Sequence, residues 1–113
     1  MEKLEKFKFY AFNLNGGDDT RIPAKLYCQL FGWTMKTESI GHTEVKIAED
    51  LYVIFSRPTE NCPVETGTLT FVMDSFPLSL GELFKIDLNT KVSKKYRSYL
   101  DHWGNRIWIY LST

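Results

Sequence analysis

Hydrophobic and polar residues alternate along several short stretches of the chain, a period of two that predicts β-strands. The predicted strands cover residues 6–14, 34–39, 42–48, 51–56, 68–73 and 106–111, with one or two weaker strands within 91–100. Residues with turn-forming propensity separate the second, third and fourth of these strands, at Ile40-Gly41 and at Glu49-Asp50. These three strands are therefore expected to be joined by tight turns.

Two other stretches repeat their apolar residues at helical spacing. The first predicted helix covers about residues 22–30, is capped by Asp19 or Thr20 and ends at Gly32. The second covers about residues 76–87. Its start has two alternative caps, namely Ser75 or, four residues later, a capping box of Ser79 and Glu82.

The order strand, helix, three strands occurs twice along the chain. The first unit covers about residues 6–56, a linker with two prolines and a glycine covers 57–67, and the second unit covers about 67–112. One helix on one sheet cannot bury both faces of that sheet, so we expect the two units to form a single domain over residues 1–113. Length and pattern also allow a ferredoxin-like α+β domain.

Composition argues against several classes of protein. Fourteen basic residues balance fourteen acidic ones, so a nucleic-acid partner, which requires a basic surface, is not expected. No apolar run approaches the roughly 20 residues of a membrane-spanning helix, and the first ten residues lack the apolar stretch of a signal peptide. Cys28 and Cys62 are too few for a disulfide framework, so we expect a reduced, cytoplasmic protein.

Two segments resemble signatures of one superfamily. Residues 26–33, LYCQLFGW, resemble the end of the first helix of the vicinal oxygen chelate superfamily, which includes glyoxalase I, extradiol dioxygenases and bleomycin-resistance proteins. Residues 101–110, DHWGNRIWIY, resemble its last hairpin. The resemblance implies an α+β fold in which two tandem βαβββ modules form a curved, mostly antiparallel eight-stranded sheet with the helices on its outer face. It also implies a homodimer.

Enzymes of this superfamily hold a divalent metal on the inward faces of strands one, four, five and eight. The resemblance places these positions near Lys8, near Ile54, at Thr68 and at Trp108. Divalent metals favour imidazole, thiolate or carboxylate ligands, and these side chains do not form such a set. We therefore expect neither the usual metal site nor another cofactor, and the superfamily's isomerase, lyase and dioxygenase activities do not follow for this chain.

Alternation within the strands separates a core-facing side from a concave side, which we expect to form a cup. The side chains expected to pack on the helices are Leu69, Phe71, Met73, Ile107, Ile109 and Leu111. Thr68, Thr70 and Val72 are expected to face the cup. The candidate ligand-binding residues are Tyr10, Phe12, Tyr52, Arg106, Trp108 and Tyr110. Either Arg106 or Lys8 could anchor an anionic group, and the aromatic residues could instead fill a core or an interface.

These expectations favour a metal-independent protein that binds a small aromatic or apolar molecule in an aromatic cup, as in the bleomycin-resistance branch, without catalysis. One alternative is a lyase, isomerase or dioxygenase with no metal or with a relocated metal site built from His42, Glu44, Asp101 and His102. Another alternative is a protein-interaction module whose cup is filled by its own aromatic side chains.

Overall fold

The computed structural model describes residues 1–87 and 93–112. In the first half of the chain, the elements are β1 (Ala11–Asn15), α1 (Arg21–Phe31), β2 (Thr34–Thr37), β3 (His42–Ala48) and β4 (Leu51–Ser56). In the second half, they are β5 (Thr68–Met73), α2 (Leu78–Leu83), β6 (Lys85–Ile86), β7 (Tyr96–Leu100) and β8 (Arg106–Leu111). No helix among the described residues is long and apolar enough to cross a membrane.

The eight strands form two four-stranded sheets with the same connectivity. The strand order is β1-β4-β3-β2 in the first sheet and β5-β8-β7-β6 in the second. In each sheet the strand before the helix pairs in parallel with the last strand, and the other two pairings are antiparallel. The predicted α+β fold of two tandem, mostly antiparallel βαβββ modules is therefore confirmed, with the strands hydrogen-bonded as two sheets.

The first strand is shorter than its alternating sequence predicts. It begins at Ala11, which pairs in parallel with Tyr52 near the start of β4. The residues before Ala11 therefore lie beyond the start of β4, and no described strand pairs with them there. One further hydrogen bond, from the Tyr52 amide to the Tyr10 carbonyl, continues the pairing by a single residue. Phe7 and Phe9 consequently remain exposed to 75% and 59%. The predicted strand over residues 6–14 was therefore wrong in its first half, because local alternation cannot supply a partner strand.

Helix α1 begins and ends close to its predicted limits. Thr20 is its N-cap residue, but the Thr20 hydroxyl donates to the Ser39 carbonyl at 2.8 Å and does not cap the helix. Asp19 accepts hydrogen bonds from the Arg21 amide and guanidinium, and the bonded guanidinium lowers the pKa of Asp19 to about 2. Gly32 ends the helix with a φ of 70°, a left-handed conformation that favours glycine.

Helix α2 is shorter than predicted and starts without either expected cap. Its N-cap residue is Pro77, and no cap bond from a side chain is recorded for it within the described chain. The helix ends at Leu83 because Lys85–Ile86 pair with β7 as strand β6, which replaces the last part of the predicted helix. Of the weak strands predicted within 91–100, Tyr96–Leu100 is observed, whereas the part over 91–92 lies outside the described residues.

Tyr27 of α1 lies at the centre of the hydrophobic core and is fully buried. The Tyr27 ring is 5.1 Å from that of Phe55 in the first module and 5.6 Å from that of Phe84 in the second. Burial and the neighbouring Asp101 carboxylate raise the pKa of Tyr27. The two modules therefore share one core.

The turn between β7 and β8 joins the modules by hydrogen bonds. The Asn105 amide oxygen accepts the backbone N–H groups of Asn15 and Gly67 at 3.1 and 3.0 Å, and its nitrogen donates to the Asn15 carbonyl at 2.8 Å. The buried Asp101 carboxylate accepts the Tyr27 hydroxyl at 2.7 Å and the Asn105 amide groups at 2.8 Å. The segment resembling the superfamily's last hairpin thus has a structural role here.

Candidate ligand-binding faces

Each sheet has one face toward the helices and one face away from them, which we call its inner face. In the first sheet, Val53 and Phe55 are buried on the helix side, so Tyr52, Ile54 and Ser56 lie on the first inner face. In the second sheet, Ile107 and Ile109 are fully buried, as predicted. The residues on the second inner face include Thr68, Thr70, Val72, Arg106, Trp108 and Tyr110, in agreement with the predicted alternation.

The second inner face carries a group of aromatic side chains. The Tyr96 ring is 5.9 Å from the Trp108 ring in an edge-on arrangement, and it is 6.0 Å from the Tyr110 ring. Tyr110 is 47% exposed and Val72 is 68% exposed. This face therefore offers flat apolar area to a ligand without any rearrangement of the sheet.

Arg106 on the second inner face has a charge partner. Its guanidinium Nη1 lies 2.5 Å from an oxygen of the buried Asp87 carboxylate and 2.5 Å from the Ser98 hydroxyl. The guanidinium carbon is also 6.0 Å from the centre of the Trp108 ring. Because Asp87 compensates the positive charge, Arg106 is less suited to anchor an anionic ligand than its sequence position indicates.

The first inner face carries a polar network. The Tyr10 hydroxyl donates to Glu44 and accepts from the Lys36 ammonium at 2.8 Å. The other Glu44 oxygen is 2.8 Å from Nε2 of His42. The Lys36 ammonium also lies over the Tyr52 ring, 4.3 Å from its centre. Four segments of the chain therefore meet at this network: the residues before β1, and strands β2, β3 and β4.

Hydrogen bonding in this network shifts two pKa values. Bonds from Tyr10 and His42, together with the nearby Lys36 charge, lower the pKa of Glu44. The bond to Tyr10 is the largest cause that raises the pKa of Lys36. Both shifts favour the charged forms, so Glu44 and Lys36 are ionised together at neutral pH and largely compensate each other.

The six candidate residues fall into three places. Tyr10 and Tyr52 lie together on the first inner face, with ring centres 4.9 Å apart, and Arg106, Trp108 and Tyr110 lie together on the second. Phe12 shares the opposite face of its sheet with its register partner Val53, and its ring is 5.0 Å from that of Phe9. The candidate set is therefore divided by the fold between two inner faces and one helix-side position.

Lys36, Tyr96 and Asp87 take part in the contacts of these faces but were absent from the sequence-based candidates. Lys36 and Tyr96 lie on predicted strands, where alternation could have placed them on an inner face. Asp87 could not have been found in this way, because the helical pattern was extended over residues 76–87. Lys8, the second suggested anion anchor, lies before β1 and is 3.7 Å from Asp50, with its side chain 65% exposed.

The positions at which the superfamily holds a metal do not fit one in this chain. Trp108 and Ile54 lie on inner faces but carry no atom that would bind a divalent cation, and Thr68 offers only a hydroxyl. The residue paired with Ile54 on β1 is Asn13, whereas the position near Lys8 that the sequence suggested lies before β1. An amide oxygen and a hydroxyl are a poor set for a transition metal.

The relocated metal site considered from the sequence is not assembled either. His42 and Glu44 are in contact, but Asp101 is buried in the turn that joins the modules, and the His102 ring packs 5.7 Å from that of Trp103. Within residues 1–87 and 93–112, no three His, Cys, Asp or Glu side chains converge in a way that could hold a metal ion.

The fold is similar to those of several solved structures. TnmS3, an antibiotic binding protein from Streptomyces sp. CB03234, has a TM-score of 0.63 and 13% identity, over 98% of this chain and 100% of its own. A lactoylglutathione lyase from Agrobacterium tumefaciens has a TM-score of 0.58 and 13% identity, over 98% and 96% of the two chains. A glyoxalase/bleomycin resistance protein/dioxygenase superfamily member from Sphaerobacter thermophilus DSM 20745 has a TM-score of 0.63 and 10% identity, over 96% and 100%.

No protein-family model matches the chain, and no curated protein matches its sequence. At these low identities the solved structures establish the fold and leave the chemistry of the site open. They cover nearly the whole chain, so both modules take part in the similarity. The protein thus has the fold of the vicinal oxygen chelate superfamily, which the glyoxalases and bleomycin-resistance proteins share.

Proposed function

We propose that the protein is a metal-independent small-molecule binding protein whose ligand is a flat aromatic or apolar molecule. The observation that carries this proposal is the aromatic group of the second inner face, where Trp108, Tyr96 and Tyr110 lie together. Partly exposed aromatic rings on a rigid sheet supply large contact area with little loss of side-chain entropy on binding. The similar protein TnmS3 is an antibiotic-binding protein.

The inner faces also support the proposal of a homodimer. Val72 and Tyr110 are among the more exposed large hydrophobic residues, and both lie on the second inner face. A second copy that covered this face would enclose a ligand between two subunits and remove apolar surface from water. The mass measured by light scattering should then be twice 13.2 kDa. We further propose a cytoplasmic location, with which the free Cys28 and Cys62 are consistent.

The test uses 8-anilinonaphthalene-1-sulfonate as a planar aromatic probe, with its fluorescence followed by titration in the presence of EDTA. We expect saturable binding that Trp108→Ala weakens by about tenfold, because the truncation removes the largest ring of the face. The control is Leu78→Ala, which changes a residue of α2 that is 84% exposed. Equal affinity of Trp108→Ala and wild type would contradict binding on the second inner face.

The enzyme alternative is tested by metal addition. A site that binds only the folded state raises the melting temperature, so thermal unfolding is followed with Zn²⁺, Ni²⁺, Mn²⁺ and Fe²⁺. We expect no shift. A clear shift that disappears in His42→Ala or Glu44→Ala would replace the proposed function with a metal-dependent one, since these are the two candidate ligands in contact.

A further inference from the structure

A separate cavity lies between the two modules, beside the edge strands β1 and β5. Its volume is about 250 Å³. The residues that line it come from β1, β3, β5 and the segment after α1, and they are Phe12, Trp33, Ile47, Thr68, Leu69, Thr70 and Phe71. Trp33, Ile47, Leu69 and Phe71 are partly buried against the core, and Phe12, at 43% exposure, is accessible from solvent. The cavity therefore has a built apolar wall and an open side.

The arrangement of the two edge strands accounts for this cavity. β1 and β5 each lie at the edge of their own sheet. They approach closely where β1 ends and β5 begins, since a Cβ on Gly67 would lie 2.3 Å from a Leu14 methyl carbon. Asn105 bonds both segments at this point. Beyond it the strands belong to different sheets and do not pair with each other, which leaves room for the cavity between them.

The lining indicates which ligand the cavity suits. None of the described residues that line it carries a charged side chain, so an ionised ligand would lose its hydration without gaining a partner. The Trp33 and Phe71 ring centres are 6.2 Å apart, so flat rings form part of the wall. The hydroxyl groups of Thr68 and Thr70 and the indole N–H of Trp33 are the polar side-chain groups of the lining residues. A neutral aromatic molecule with at most one or two polar groups fits these features.

The volume of the cavity limits the size of the ligand. An apolar protein cavity of about 150 Å³ is known to bind benzene, so a cavity of about 250 Å³ has room for one or two fused rings. A helix with its side chains is about 10 Å across and could not enter such a space. The remaining occupants are a small molecule or a single protruding side chain.

We propose that this cavity is a second binding site, specific for neutral one- or two-ring aromatic molecules and distinct from the polar network of the first inner face and the aromatic group of the second. It does not depend on the proposed function, because the described residues that line it do not include Tyr96, Trp108 or Tyr110. The competing occupant is an exposed phenylalanine of another copy, such as Phe7 at 75% exposure.

The experiment uses 5-fluoroindole as the probe and follows its ¹⁹F NMR signal during titration with the full chain. We expect saturable binding in wild type and in Trp108→Ala, with affinities within about a factor of two. Leu69→Phe adds volume to the wall and should weaken binding by about tenfold, because close-packed interiors tolerate little extra volume. Phe12→Ala, which removes a ring at the open side, should weaken binding less.

Each result decides the proposal. Wild-type affinity in Leu69→Phe, or loss of binding in Trp108→Ala, would overturn it, and the second result would place the probe on an inner face. If Leu69→Phe does not fold, as judged by circular dichroism, Ile47→Phe takes its place in the comparison. If wild type binds no probe, the proposal fails, and recovery of binding in Phe7→Ser would show that the phenylalanine of another copy occupies the cavity. Failure here would leave the Trp108 test of the proposed function unaffected.

Discussion

The two inner faces occupy matching positions in the two modules, yet they have different chemical character. The first has a network of Tyr10, Lys36, His42 and Glu44 that meets solvent, since the His42 side chain is 50% exposed. The second has an aromatic group beside a guanidinium whose partner, Asp87, is only 8% exposed. The repeated strand order thus determines where side chains point, and the side chains at those positions determine what each face can bind.

Both inner faces depend on the two modules staying joined. The largest expected loss of stability is therefore at Asn105, in the turn between β7 and β8 that joins the modules. Asn105→Ala should lower the free energy of unfolding by about 2–4 kcal/mol, because it removes the buried Asn105 side chain and leaves partly buried backbone groups of Asn15 and Gly67 without their partner. Chemical denaturation measures this change. The control is Asn13→Ala, whose exposed side chain makes a single 3.4 Å hydrogen bond to Ser56 and should cost less than about 0.5 kcal/mol. Similar losses of unfolding free energy in Asn105→Ala and Asn13→Ala would argue against a stabilising role of Asn105 between the modules.

The carboxylates of the two inner faces, Asp87 and Glu44, should contribute differently to the stability of the fold. Asp87→Asn should cost about 1–3 kcal/mol because Arg106 would lose its buried charge partner, whereas Glu44→Gln should cost less than about 1 kcal/mol in a more solvated network. Folded Glu44 has a lowered pKa, so its contribution to stability is complete above the ordinary value of 4.5 and is lost as the pH falls through the lowered value. The difference between wild type and Glu44→Gln should therefore shrink below pH 4.5.

Thermal unfolding as a function of pH measures both variants of this pair. Glu60→Gln, in the exposed linker, is the matched control for removal of one negative charge. An equal loss of stability in Asp87→Asn and Glu44→Gln would show that the environments of the two carboxylates do not differ as the structure indicates.

The two helix glycines give the smallest expected effects, and these have opposite signs. Gly32→Ala in the first module should lower stability by about 1 kcal/mol, because residue 32 has a φ of 70° even though a Cβ there would meet no other atom. Gly81→Ala within α2 should raise stability by about 0.5–1 kcal/mol, since alanine favours the helix and the space is open. Melting temperatures measure both, and effects of the same sign would refute the backbone argument.

Sequence patterns predicted those elements best whose alternation extends over their whole length. The strands His42–Ala48, Leu51–Ser56, Thr68–Met73 and Arg106–Leu111 have the predicted limits, and Ile107 and Ile109 of the last strand are buried as predicted. The weakest predictions concerned residues 6–10 and 84–87. There the outcome depended on whether a partner strand was present, which local periodicity cannot reveal.

The sequence alone determined the tandem order of elements and the buried side of Arg106–Leu111, because each depends on residue types at short spacing. Only the tertiary structure decided that Arg106 is paired with Asp87, that Phe12 faces the helix side, and that Tyr10 meets Glu44. These contacts join residues 19 and 34 positions apart, or depend on the register of two strands. Distances of that kind follow from how the sheets pack, and a pattern along the chain does not contain them.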